Sequence, residues 1–330
     1  MNKTRLIAGS LALLFAATAC GSSSYDATPV PAKPTPAPAT PAPAAPETCK
    51  NALQSYAPDV TLPPPGAMPD GTTMAKIQQY GRLVAGVSAD SLNLGSRDPI
   101  SGKIQGFDID MINAVADAIF GEPAPGQPHK VELRVISSPQ RLPVLQAPRK
   151  DGAVDIVARN MTINCDRWTK IAFSAEYYHS GQKLLVQRDM KEQSLKQLSG
   201  KKVCTPTGST SYTNMRKENP DIIPVTADTD TGCLALFQAG EVVGISGDDT
   251  VLAGDVAQDP YARVTTAGQI SDEPYGLGMN SGQVDFVKFV NGVLAKMKAD
   301  GDWQKSYDTW FLKALGPAKP PVAQYGRVAP

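Results

Sequence analysis

Gly106-Phe107-Asp108-Ile109-Asp110-Met111 runs straight into Ile112, Val115, Ala116 and Ile119. Those apolar positions recur at helical spacing, so one face of a helix packs inward. Gly106 permits a tight turn from extended chain into the helix. Asp108 falls near the helix start, where an acid favours the dipole. Upstream, Arg82 to Val87 is a short apolar run of the kind a buried strand gives, and a polar loop spans Ser88 to Lys103. Downstream, Val131 to Ile136 alternates as a strand, Leu142 to Gln146 reads as a short helix, and Val154 to Ala158 is another buried strand. Strand and helix alternate, which implies α/β layers with a largely parallel sheet.

A second cycle follows. Gln182 to Gln187 and Lys201 to Thr205 read as strands, and Gly208-Ser209-Thr210-Ser211 opens a helix. Ile222 to Val225 is extended, Gly232 to Ala239 helical, and Val242 to Ser246 a strand that leads into Asp248-Asp249. Tyr275 to Met279 reads as a strand returning to the first lobe. Val284 to Met297 is a long amphipathic helix, and after Gly301-Asp302-Trp303 a second helix reaches Leu315. The Pro-rich residues 317–330 are expected to be flexible.

The N-terminus decides the compartment. Lys3 and Arg5 precede a short apolar stretch, Leu6 to Thr18, too short for a permanent span. This is a secretory signal, expected over residues 1–19. Ala17-Thr18-Ala19-Cys20 followed by Gly21 resembles a bacterial lipobox, with Cys20 as the lipidated residue. Ala17 stands where Leu is usual, and the alternative is an ordinary secretory signal. Residues 21–48 hold eight prolines and almost no large apolar side chains. Nothing there supports a core, and as an extended tether it reaches roughly 80 Å.

About 270 residues remain, enough for two lobes. The 32 basic residues balance 32 acidic ones, without a basic run, which argues against nucleic acid. His129 and His179 are far apart, no metal-ligand cluster is spaced for it, and phosphate-loop, Rossmann and Gly-x-Ser-x-Gly motifs are absent. No metal or cofactor is expected. With Cys20 lipidated, Cys49, Cys165, Cys204 and Cys233 form an even set, as in an exported disulfide protein. Of three pairings, Cys204–Cys233 and Cys49–Cys165 are expected. The first joins a strand to the helix after a short connection; the second staples the start of the domain to its core.

The Gly106–Ile119 segment resembles the signature of the family 3 extracellular solute-binding proteins. Further matches follow in order: Ser138 to Leu145, Asp155 to Arg167, Phe173-Ser174 with Tyr177-Tyr178, Gly208 to Ser211, Asp248-Asp249 and Gly301-Asp302-Trp303. Together they cover residues 70–315. The resemblance implies a type II periplasmic binding protein, two α/β lobes joined by two crossing strands near 183–189 and 268–276. The lobes are then 49–185 plus 271–316, and 186–270. It also implies an amino-acid ligand held in the cleft by hinge closure, and an ABC permease or membrane receptor as partner of a monomer on the outer face of the cell membrane.

A free amino acid carries a carboxylate and an ammonium, and burying either unpaired is expensive. Arg167 is expected to take the α-carboxylate, because a guanidinium matches it bidentately. Thr162, Asn160 and the Thr210 helix N-terminus add contacts. Asp248, or failing it Asp249, is the ammonium partner. Ser138 and Arg141 match positions that hold a distal carboxylate in glutamate- and aspartate-binding relatives, and Arg97 is a candidate second charge; Arg141 is alternatively structural. Leu94 and Ser96 stand where many relatives carry aromatics, which weighs against a cationic or large apolar ligand. Glutamate, aspartate or their amides are expected. Some proteins of this fold are dehydratases that use a buried general acid, but nothing here is placed for that. A sensing module would use the same binding chemistry.

Overall fold

A computed structural model describes residues 50–59, 61–147 and 152–328. The expected signal peptide, Cys20, the tether and Cys49 lie outside the described residues.

Two sheets organise the chain. The first has the strand order Val131–Val135, Leu83–Val87, Ile156–Ala158, Gly278–Met279 and Ala172–Phe173. Its first three strands are parallel, and Gly278–Met279 runs against both neighbours. The second has the order Ile223–Ala227, Lys202–Pro206, Gly244–Asp248, Tyr178–Gln187 and Ala262–Val264. There too the first three are parallel, and Tyr178–Gln187 is antiparallel to the strands on either side. Parallel neighbours need crossovers, and helices supply them. The two lobes are joined where Ser271–Tyr275 lies antiparallel to the first half of Tyr178–Gln187, with Ser271 opposite Gln182 and Tyr275 opposite Tyr178. The first crossing therefore sits earlier than 183–189. Residues 183–186 already pair with Gly244–Gly247 in the second sheet.

Phe107–Phe120 is the helix that the opening motif requires. Gly106 has φ +141°, and a Cβ there would meet the Leu94 carbonyl oxygen at 2.3 Å, so the position admits only glycine. Phe107 is fully buried among Tyr177, Tyr178, Trp303, Tyr307 and Phe311. Burying such a ring contributes about 1.5–3 kcal/mol. Asp110 accepts from Ser306 Oγ at 2.6 Å and Trp310 Nε1 at 2.7 Å, which ties the helix to Asp302–Trp310. Residues 88–105 are not simply a loop: Asp90–Ser91, Gly95–Arg97 and Ile104–Gln105 form a three-stranded ribbon.

The C-terminal segment departs from the frayed tail expected of it. Gln324–Tyr325 pairs in parallel with Gln54–Ser55. The Arg327 guanidinium sits 3.6 Å from the centroid of the Trp168 ring. A two-residue strand closing over so long a stretch of chain leaves no periodicity to read.

Candidate functional site

In open α/β sheets ligands bind beyond the carboxyl ends of the strands, and here those ends face each other across the lobes. Val131–Val135 leads to Ser138 and Arg141, and Ile156–Ala158 to Asn160, Thr162 and Arg167. From the other lobe Lys202–Pro206 leads to Thr210, Ile223–Ala227 to Asp230, and Gly244–Asp248 ends on Asp248 itself. All eight line one interlobe cavity with about 420 Å³ of atom-free space, part of it open to solvent. Seven of them are residues the sequence singled out; Asp230 is the addition.

Arg141 and Arg167 are buried, at 4% and 6% exposure. Arg141 donates from Nε to the Ser138 carbonyl at 2.9 Å and from Nη1 to the Asn160 carbonyl at 3.1 Å. Arg167 Nη1 donates to the Thr162 carbonyl at 2.7 Å. Both also reach the Gly208 carbonyl of the opposite lobe at 3.4 Å. Neither is in an ion pair with a carboxylate among the described residues. Burial, then the charges of Arg167 and Arg159, push Arg141 well below the usual guanidinium range; burial also lowers Arg167. Asn160 adopts φ +37°, a left-handed conformation that Asn tolerates. Its own N–H is held by Asp108 at 3.0 Å.

Asp248 accepts from Tyr275 Oη at 2.8 Å and has no cation within ion-pair distance among the described residues. Burial, then the neighbouring Glu273 charge, raises its carboxyl well above the usual range. A buried carboxylate in that state gains most from a cation brought by a ligand. Glu273, on the crossing strand and 1% exposed, accepts from Thr162 Oγ1 at 2.7 Å, from Thr210 Oγ1, from Asn214 Nδ2 at 2.8 Å and from Ser271 Oγ at 2.7 Å. With those protons committed, the two threonine hydroxyls offer lone pairs to a ligand.

Arg97 is corrected. It lies on the exposed side of the ribbon, where Nη1 donates to the Gly102 carbonyl at 2.7 Å and closes a turn away from the cavity. Asp249, the fallback, accepts from Ser180 Oγ at 2.7 Å and does not line the cavity. Cys204 and Cys233 form a disulfide, with Cα atoms 5.5 Å apart. Cys165 opens the short helix Cys165–Trp168 and is disulfide-bonded, and its expected partner Cys49 is outside the described residues.

The sequence profile of the bacterial extracellular solute-binding proteins, family 3, matches residues 83–313. The chain belongs to this family. Among similar proteins, the glutamine-binding protein of Geobacillus stearothermophilus is 35% identical over 193 residues, 58% of this chain and 70% of that one. The ABC transporter glutamine-binding protein GlnH of Bacillus subtilis is 32% identical over 240 residues, 72% of this chain and 84% of that one. A glutamate/aspartate import solute-binding protein of Salmonella typhimurium is 27% identical over 76% of this chain and 83% of its own length. Among solved structures, an ancestral arginine-binding protein bound to glutamine is 29% identical with a TM-score of 0.63, covering 72% of this chain and 99% of that one. This family 3 protein is an extracellular solute-binding protein, and it has the type II periplasmic-binding-protein fold.

Asp230 and Glu273 escaped the sequence reading because each lies outside the matched motifs; Arg159 lies inside the Asp155 to Arg167 match, where only Asn160, Thr162 and Arg167 were singled out. Glu273 carried one signal: Ser271, Glu273 and Tyr275 alternate on a strand expected to cross between lobes, which sets the glutamate on an inward face.

Proposed function

We propose that this protein captures free glutamate or aspartate, or with less complete compensation their amides, by hinge closure, and presents the closed form to an ABC permease. The observation that carries the reading is the charge pattern of the cavity. Among the described residues, two buried guanidinia without ion-pair partners face a buried carboxylate without one. An acidic amino acid supplies two carboxylates and one ammonium, the complement of that set. Arg167 takes the α-carboxylate and Arg141, with Ser138, the distal group. Asp248 takes the ammonium, joined by the Thr162 and Thr210 hydroxyls as acceptors; this role suits them better than a carboxylate contact, since their protons go to Glu273. Asn160 contributes through its carbonyl-lined turn. Cys20 holds the chain to the membrane by its lipid.

A thermal-shift screen of the amino acids tests the reading, because a ligand bound only by the folded state raises its stability. Glutamate and aspartate are expected to give the largest shifts. Arg167→Ala should then weaken calorimetric affinity by about 2–5 kcal/mol, the cost of truncating one partner of a buried charge pair. Unchanged affinity in that variant refutes the assignment.

A further inference from the structure

A third buried guanidinium belongs to neither role above. Arg159 follows strand Ile156–Ala158 of the first lobe and is 1% exposed. Its Nε donates to the Ile136 carbonyl at 3.0 Å, but Nη1 and Nη2 have no hydrogen-bond partner among the described residues. Asp230 Oδ2 lies 3.8 Å from Nη1, and Asp90 Oδ1 lies 4.0 Å from Nη2. Asp90 is on the same lobe. Asp230 opens the helix Asp230–Gln238 of the other lobe.

Direct bonds cross between lobes around this cation. Asp90 Oδ2 accepts from Thr231 Oγ1 at 2.6 Å and from the Thr231 N–H at 3.1 Å. Asp230 Oδ2 accepts from Ser91 Oγ and, at 3.1 Å, from Asn160 Nδ2. The Ser138 N–H donates to the Asp228 carbonyl at 2.9 Å. Asp108 from the first lobe and Asp248 and Asp255 from the second also interact with this cluster, as does the Arg141 guanidinium.

We propose that Arg159, Asp90, Asp230 and Thr231 form an interlobe latch that biases the lobes toward closure, with Arg159 and Thr231 as positioning residues outside the cavity lining and Asp230 shared between latch and lining. In the closed arrangement the guanidinium is flanked by one carboxylate from each lobe. Opening carries Asp230 and Thr231 away and leaves the cation with the first-lobe carboxyl groups alone, Asp90 and Asp108. An interaction made only in the closed form shifts the equilibrium toward it before any ligand arrives. Every ligand that binds the closed form then gains by the same factor. A direct ligand contact would instead favour one ligand over another.

The affinity half of the test rests on the proposed amino-acid binding; the scattering half does not. On the full chain, Asp230→Asn should enlarge the radius of gyration of the ligand-free protein in small-angle X-ray scattering. It should also weaken glutamate and glutamine affinities, by about tenfold, while Thr231→Val, away from the cavity lining, leaves their ratio unchanged. Thr231→Val, which keeps every charge, should move both readouts in the same direction by less, and it serves should Asp230→Asn not fold. Ligand-free scattering equal to wild type in both variants overturns the latch. So does a change in the glutamate-to-glutamine ratio in Thr231→Val, which would make this cluster part of the ligand contact. If wild type binds neither amino acid, the binding proposal fails and scattering alone decides the latch.

Discussion

Asp108 shows how one motif residue serves both fold and site. Its carboxylate accepts from Tyr177 Oη at 2.7 Å and from the Asn160 N–H, so it fixes the left-handed turn that presents the cavity's carbonyls. Burial raises its pKa to about 6 despite those donors. A carboxyl raised in the fold contributes stability in full below its unfolded pKa, and this is lost as pH rises through the folded one. Asp108 should therefore cost stability progressively between about pH 4 and pH 6, by roughly 3 kcal/mol at most for a shift of about two units. Denaturation of Asp108→Asn against wild type across that range should show the variant gaining relative stability as pH rises. At the same scale, Arg141→Ala should weaken acidic ligands more than amides in calorimetry, because a neutral amide oxygen forgoes less than a carboxylate. Equal losses would make Arg141 structural. The residues that line the cavity were legible where a motif fixed their offset from a strand end. Arg97 was misplaced because a ribbon, invisible as periodicity over two- and three-residue strands, turns it outward.

Among elements, the strands Leu83–Val87 and Lys202–Pro206 and the helices Phe107–Phe120 and Val284–Asp300 were readable because each buries a continuous run or a regular stripe. Helix Asp249–Gln258 was not, since the reading there stopped at Asp248-Asp249 after a strand. Thr73–Tyr80 carries too few apolar residues to announce itself, although its N-cap Thr72 accepts from the Ala75 N–H. The Cys204–Cys233 bond links strand Lys202–Pro206 to helix Asp230–Gln238 across a separation of 29 residues. In the loop-entropy account, its removal by Cys204→Ser with Cys233→Ser should cost about 3–4 kcal/mol. Urea denaturation measures the loss, and hydrogen exchange should place the loosening in the second lobe.

For the whole molecule, closure depends on one antiparallel strand pair and on a cavity that gathers charge from both sides. Ligand at a hundredfold excess over its Kd should raise unfolding free energy by about 2.7 kcal/mol, read by denaturation with and without glutamate. Arg327→Ala should lower stability by about 1 kcal/mol through the lost ring contact with Trp168, read by urea denaturation.

The pairing of Gln54–Ser55 with Gln324–Tyr325 has a mechanical consequence. Both ends of the described chain are clasped onto one lobe, so the other is tied to it covalently by two strands alone, as a flap. A tether pulling on residues before Gln54 would load the stationary half alone and leave the swing of the flap undisturbed.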